Sequence, residues 1–184
     1  MAKNVLLGVT AGAAVYKSCS LIRLFVKEGV RVKTVMTPNS VKLISPVLFE
    51  SLSQDKVYTD MFSPDREYSL KHISLSKWAD TVLIAPASAN TMGKLANGIC
   101  DNLLTTLILA LPDRVPVFIA PAMNTNMWTS PLVRANVDKL SGLPNYKVIL
   151  PEKGVLASGD EGEGVLASIE KIFKSVTTVR EFRP

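Results

Sequence analysis

The loop Pro121-Ala122-Met123-Asn124-Thr125-Asn126-Met127-Trp128 packs two carboxamides, two thioethers and an indole into eight consecutive residues. Such a set offers hydrogen bonds without charge together with soft apolar contact, which suits holding a small polar molecule against a flat, polarisable one. The competing expectation is a buried connector whose Met and Trp side chains only fill the core. A second chemical segment is Gly8-Val9-Thr10-Ala11-Gly12-Ala13-Ala14, a turn of small residues through which backbone N–H groups and a helix dipole can approach an anion. It lacks both the spacing of the G-x-G-x-x-G dinucleotide fingerprint and a P-loop Lys, so a mononucleotide phosphate is the better fit. Thr37 and Asn39, further along, are expected to supply side-chain donors to the same phosphate. Tight packing of a helix on a strand would also explain the small residues.

Pro86-Ala87-Ser88-Ala89-Asn90-Thr91 places neutral donors and acceptors beside an apolar run, an arrangement suited to a planar heterocycle such as a flavin ring. Helix N-capping accounts for one of Ser88, Asn90 and Thr91 but not for all three. His72 is the only histidine. It is either a structural residue or a group that exchanges a proton near neutral pH. Gly154 to Gly164 holds four glycines in eleven residues, a composition that fits a mobile flap over a site or a plain surface loop.

These segments need a scaffold, and the hydrophobic pattern supplies one. Val5–Val9, Val30–Met36, Thr81–Ala85, Val115–Ala120 and Tyr146–Leu150 read as strands. Helices are expected over Ala13–Lys27, stopped by Gly29, over Ser45–Leu52, entered through Pro46, over Ala89–Leu111 and over Ile169–Val176, with a surface loop at Ser63–Tyr68. Continuous apolar strands separated by helices imply a parallel sheet covered on both faces, an α/β three-layer sandwich of Rossmann-like or flavodoxin-like type. Its ligand edge, at the carboxyl ends of the strands, gathers the loops at 10–14, 37–40, 86–91 and 121–128.

At 184 residues the chain is read as a single domain, residues 1–184. No apolar stretch is long enough to span a membrane and Met1 runs almost directly into a strand, so a cytoplasmic protein is expected. Two cysteines, Cys19 and Cys100, with one histidine argue against a zinc site or a disulfide framework. The net charge of +5 is scattered along the chain without a dense basic run, which speaks against nucleic acid as a partner.

Taken together, His72-Ile73, Pro86 to Thr91, Cys100-Asp101-Asn102-Leu103-Leu104, Pro121 to Trp128 and Gly154 to Gly164 resemble the flavin-containing cysteine decarboxylases, most closely the phosphopantothenoylcysteine decarboxylases of coenzyme A biosynthesis. The resemblance implies FMN, with its phosphate near Thr10, Ala11, Gly12, Ala13, Thr37 and Asn39 and its ring against Ser88, Ala89, Asn90, Thr91 and Ala122. It implies His72 as the active-site base, and Asn124 with Met127 as holders of the cysteine carboxylate of a small, phosphate-bearing substrate. In this chemistry the flavin oxidises the cysteinyl thiol, carbon dioxide leaves, and the resulting enethiol is protonated and reduced. The resemblance further implies a homotrimer or dodecamer with sites between subunits.

One residue departs from the family pattern. Its flap reads Gly-x-Leu-Ala-Cys-Gly, whereas this chain has Leu156-Ala157-Ser158-Gly159, with a hydroxyl in place of the proton-donating thiol. Oxidative decarboxylation is therefore expected to survive while the reductive half stalls. Two other readings follow from the same letters: oxidative decarboxylation of a C-terminal peptidyl cysteine, which needs no reducing cysteine, and a flavin-binding regulatory subunit without catalysis.

Overall fold

A computed structural model describes residues 3–62 and 71–178. Six parallel strands form the central sheet: β1 (Asn4–Val9), β2 (Arg31–Met36), β3 (Val57–Tyr58), β4 (Thr81–Ala87), β5 (Val117–Pro121) and β6 (Tyr146–Val148). Their order is β3-β2-β1-β4-β5-β6, so the direction of winding reverses between β1 and β4. This is the doubly wound Rossmann order, and the reversal opens a crevice at the carboxyl ends of those two strands.

The strands are continuous apolar runs because both faces are covered. Alternate residues of β1 serve opposite cores. Leu6 joins the layer of α4 (Lys71–Trp78), α5 (Ala89–Ala96), α6 (Leu103–Leu109) and α8 (Pro131–Ser141), through Leu75, Met92, Leu104 and Val137. Val5, Leu7 and Val9 join the layer of α1 (Lys17–Lys27), α3 (Pro46–Ser53) and α9 (Ile169–Thr177), through Leu21, Phe25, Phe49 and Ile172. Gly8 is fixed by packing, since a Cβ there would lie 2.7 Å from Leu104 Cδ1. The three-layer sandwich expected from the sequence is thus the observed fold.

Several boundaries differ from the sequence expectation, each for a local reason. The first four residues expected in α1, Ala13–Tyr16, form a 3-10 turn before the α-helix begins. The region expected as one helix from Ala89 to Leu111 is two: α5 runs out at Ala96, Gly98 adopts φ 68°, and Asn102 N-caps α6 by accepting from Thr105 N at 3.1 Å. The short α2 (Pro38–Val41) and α7 (Thr125–Thr129), like α8, were not expected; α8 starts at Pro131, a residue suited to the first turn. The glycine-rich stretch is an antiparallel hairpin, β7 (Glu152–Val155) with β8 (Glu161–Val165). The loop expected at Ser63–Tyr68 lies outside the described residues. Among the described residues no helix is long and apolar enough to cross a membrane.

Candidate active site

A cleft of about 510 Å³ opens at the carboxyl edge of the sheet, beside the β1/β4 reversal. Four segments wall it: the turn after β1, the start of α5, the loop after β5, and the β7–β8 hairpin. The first three were expected at this edge from the strand pattern, and the hairpin is the stretch that the sequence left open as either a flap over a site or a plain surface loop.

The turn contributes Ala11, Gly12 and Ala13. Val15 N donates back to Gly12 O at 3.0 Å, which starts the helical turn and leaves the N–H groups of Ala11, Gly12 and Ala13 without a partner among the described residues. Gly12 is extended, at φ 178°, and a Cβ on it would meet nothing within 4 Å. The fold therefore does not require a glycine there, and a side chain at that position would meet open space. Unpaired amides at the start of a helix form a natural anion seat.

The remaining residues expected to hold the phosphate are placed differently. Thr10 is buried and committed to the scaffold: its hydroxyl donates to Pro86 O at 2.7 Å and accepts from Ser88 N at 2.8 Å. Its role is to tie the β1 turn to the β4 turn across the crevice. Thr37 caps α2 and bonds Ser40 Oγ at 3.3 Å, while exposed Asn39 accepts from Lys42 Nζ at 3.0 Å; neither lines the cleft. Only Ser88 and Ala89 of the 88–91 segment reach the cleft wall. Ser88 caps α5 by accepting from Thr91 N at 3.3 Å, Thr91 is buried behind it, and Asn90 is exposed outside the cleft. The capping explanation thus covers Ser88 and Thr91 together.

In the loop after β5 both expectations hold, for different residues. Trp128 is 4 % exposed, sits in the core and carries the Arg134 guanidinium 4.6 Å from its ring centre. Met127 is 47 % exposed and faces the cleft with Ala122 and Asn124. Asn124 N-caps α7, its Oδ1 accepting from Asn126 N at 2.8 Å, and this leaves its Nδ2 without a partner among the described residues. The cap therefore fixes which end of the amide is available as a donor to a guest.

The hairpin is stitched to that loop. Met123 N donates to Gly164 O at 3.0 Å, and Thr125 Oγ1 donates to Glu163 O at 2.7 Å. The approach needs glycines: a Cβ on Gly164, at φ 127°, would lie 2.2 Å from Met123 O, and one on Gly162 would lie 2.1 Å from Thr125 Oγ1. Val155, Leu156, Ala157 and Ser158 then overhang the cleft from a turn closed by Leu156 N to Asp160 O at 2.9 Å.

Sequence reasoning missed four lining residues: Val165 and Leu166, just past the last glycine of the hairpin, and Tyr16 and Lys17, just past the β1 turn. Lys17 is the one charged side chain on the cleft wall among the described residues, and Tyr16 leaves 62 % of its surface open. Their signal was position alone, at the end of the turn that was already suspected of holding an anion. Half-buried His72, near the start of α4, does not line the cleft of its own chain. Neither cysteine does; Cys19 lies on α1 with its thiol pushed up from the usual range by burial, and Cys100 is exposed.

Residues 1–181 match the profile of the family described as Flavoprotein. The chain belongs to that family. Among curated Flavoprotein relatives, it is 45 % identical over 172 residues to the coenzyme A biosynthesis bifunctional protein CoaBC of Bacillus subtilis, covering 94 % of this chain and 42 % of that protein. It is 41 % identical over 176 residues to the "Probable phosphopantothenoylcysteine decarboxylase" of Streptococcus mutans, covering 96 % of this chain and 98 % of that one. The chain thus spans less than half of the bifunctional relative and nearly all of the shorter one. Among solved structures, a serine-for-cysteine mutant of PPC decarboxylase complexed with pantothenoylaminoethenethiol superposes with TM-score 0.84 at 36 % identity, over 95 % of this chain and 96 % of that one. The FMN-dependent cysteine decarboxylase SpaF superposes with TM-score 0.79 at 30 % identity, over 94 % of each chain.

Proposed function

We propose that this chain is an FMN-dependent carboxy-lyase that decarboxylates phosphopantothenoylcysteine. The observation that carries the reading is the joint cleft: unpaired amides at Ala11–Ala13, the Lys17 cation, the free amide of Asn124 and a hairpin overhead all meet in one cavity. Its volume, near 510 Å³, lies within the range of cofactor sites. Small residues at Ala11, Gly12, Ala13, Ala89 and Ala122 leave the walls flat, and the polar groups on them are neutral except for Lys17, as a flavin mononucleotide requires. FMN would supply the two-electron oxidation of the substrate's CH₂–SH to a thioaldehyde.

The chain's residues do the rest. Asn124 Nδ2 donates to the substrate carboxylate, and a neutral amide holds that group more weakly than a cation would. The ionised carboxylate lies beside apolar Met127 and Val155, both partly open to solvent, and when it departs as carbon dioxide the electron pair of the broken C–C bond passes to the thioaldehyde sulfur of the substrate. Lys17 attracts phosphate, with the chain's +5 charge adding a modest field. His72 serves as base toward a cleft other than its own chain's, which requires a neighbouring copy, a homotrimer or dodecamer. Ser158 stands exposed at the hairpin tip where an acid is needed. A thiol titrates near 8.5, and an unactivated hydroxyl is a far weaker acid. The enethiol product therefore accumulates.

The purified protein should be yellow after FMN addition. Mixing it with phosphopantothenoylcysteine should release carbon dioxide, bleach the flavin and leave a product two hydrogens short of phosphopantetheine. Ser158→Cys should restore turnover to phosphopantetheine. Failure to take up FMN sinks the whole reading; full turnover by the unaltered chain sinks only the role given to Ser158.

A further inference from the structure

The geometry points to Thr125 as a positioning residue that latches the β7–β8 hairpin over the loop bearing Asn124 and Met127. This deepens the proposed function, on which its catalytic consequence rests. The hairpin is a sheet of two strands only, separate from the central six. Isolated two-stranded hairpins are marginally stable in water, so this one depends on what it leans against. It leans on three consecutive residues of β8: Gly162 packs on the Thr125 side chain, Glu163 O accepts the Thr125 hydroxyl at 2.7 Å, and Gly164 O accepts Met123 N at 3.0 Å. The last of these is main chain to main chain, whatever the side chain at 123. Of these contacts with the 123–125 loop, only the Thr125 bond is made by a side chain; at the far end of the hairpin Glu152 pairs with Lys171 of α9 at 3.5 Å.

Thr125 also occupies a position where its hydroxyl is not otherwise needed. It is the first residue of α7, and the cap of that helix is already supplied by Asn124 Oδ1. Its hydroxyl instead crosses to the hairpin and, beside the main-chain bond from Met123 N to Gly164 O, holds Asn124, which faces the guest from below, in register with Leu156 to Ser158, which face it from above. Thr125 itself does not line the cleft. Opening the hairpin should then weaken the hold on substrate without touching the amides of Ala11–Ala13 on the far wall.

Thr125→Val removes the hydroxyl and keeps the shape that fills the space beside Gly162; Thr125→Ser keeps the hydroxyl. Hydrogen exchange followed by mass spectrometry on the peptide 152–165 reads the latch with no need for activity. In Thr125→Val the protection of that peptide should fall about five-fold, the effect of one ordinary hydrogen bond, while that of β1 and β4 stays unchanged. In anaerobic stopped flow, the phosphopantothenoylcysteine concentration giving half-maximal flavin bleaching should rise by a similar factor. The limiting rate and the FMN dissociation constant should move less than two-fold, and Thr125→Ser should restore both readouts. Unchanged protection in Thr125→Val, a Ser variant as impaired as Val, or an equal loss of FMN would overturn the latch. If exchange responds as expected but the unaltered protein neither binds FMN nor bleaches, the latch stands and the proposed reaction falls.

Discussion

Substituting Gly164 by Ala tests how the roof of the cleft is held. The residue sits at φ 127°, where a side chain is strained, and its Cβ would lie 2.2 Å from Met123 O, a main-chain atom that cannot swing aside. Ordinary contact is more than 1 Å longer, so β8 must retreat by about that distance, which breaks the 3.0 Å bond from Met123 N to Gly164 O. The backbone strain is worth about 1–3 kcal/mol and the lost bond about 1 kcal/mol, giving a local penalty of about 2–4 kcal/mol. Gly159→Ala supplies the control: its φ of 89° is also unfavourable, but a Cβ there meets nothing within 4 Å, so only the strain applies. Hydrogen exchange of peptide 152–165 should therefore show a larger loss of protection in Gly164→Ala than in Gly159→Ala, with cores around Phe25 and Leu104 unaffected in both. If the two variants lose the same protection, the close approach of β8 to the 123–125 loop contributes nothing and the account of the hairpin is wrong.

Thr34 is fully buried and its Oγ1 has no partner among the described residues, so Thr34→Val should raise stability by about 1 kcal/mol; a higher urea midpoint at unchanged slope would show it, and a lower one would refute it. Burial raises the Tyr146 hydroxyl above its usual value of 10.0, so the folded state resists ionisation more than the unfolded chain. Its contribution is intact below pH 10 and is lost as pH climbs through the raised folded value; Tyr146→Phe should flatten that alkaline decline in urea melts, and an unchanged slope would count against it. If His72 serves a neighbouring cleft, His72→Asn and Asn124→Ala proteins should each be inactive, while co-refolding them in equal amounts should recover about a quarter of full activity, the random share of intact pairings. No recovery would place the base within its own chain or elsewhere.

Much of this architecture was legible in the sequence because burial on both faces makes each parallel strand a continuous apolar run, as in Thr81–Ala85. Two-residue β3 and the hairpin were not, since Val57–Tyr58 is too short to show a period and Glu-Lys-Gly-Val reads as loop. Helix α8 went unseen because an exposed Leu132 blurs its apolar stripe. At the site, residue type together with the family resemblance pointed to Ala11–Ala13, Ser88, Ala89, Ala122, Asn124, Met127 and Ser158, and all of these line one cleft. Type could not reveal that Thr10 and Thr91 spend their hydroxyls inside the scaffold, because a threonine near a ligand and one bracing a turn look alike until partners are seen. Lys17 was hidden for the opposite reason: a lone lysine among the chain's 21 basic residues carries no signal until the fold turns it toward a cavity.

The stretch from Ala122 to Trp128 is clamped at both extremities, with Trp128 wedged in the interior beneath Arg134 and Met123 pinned by Gly164. Such a stretch behaves as an anvil: it has little freedom to remodel itself around different guests. Adaptation must then fall to the tip at 156–160, the part of the roof farthest from its moorings. Engineers who want this scaffold to accept bulkier thiols would do best to redraw those five residues and leave the anvil alone.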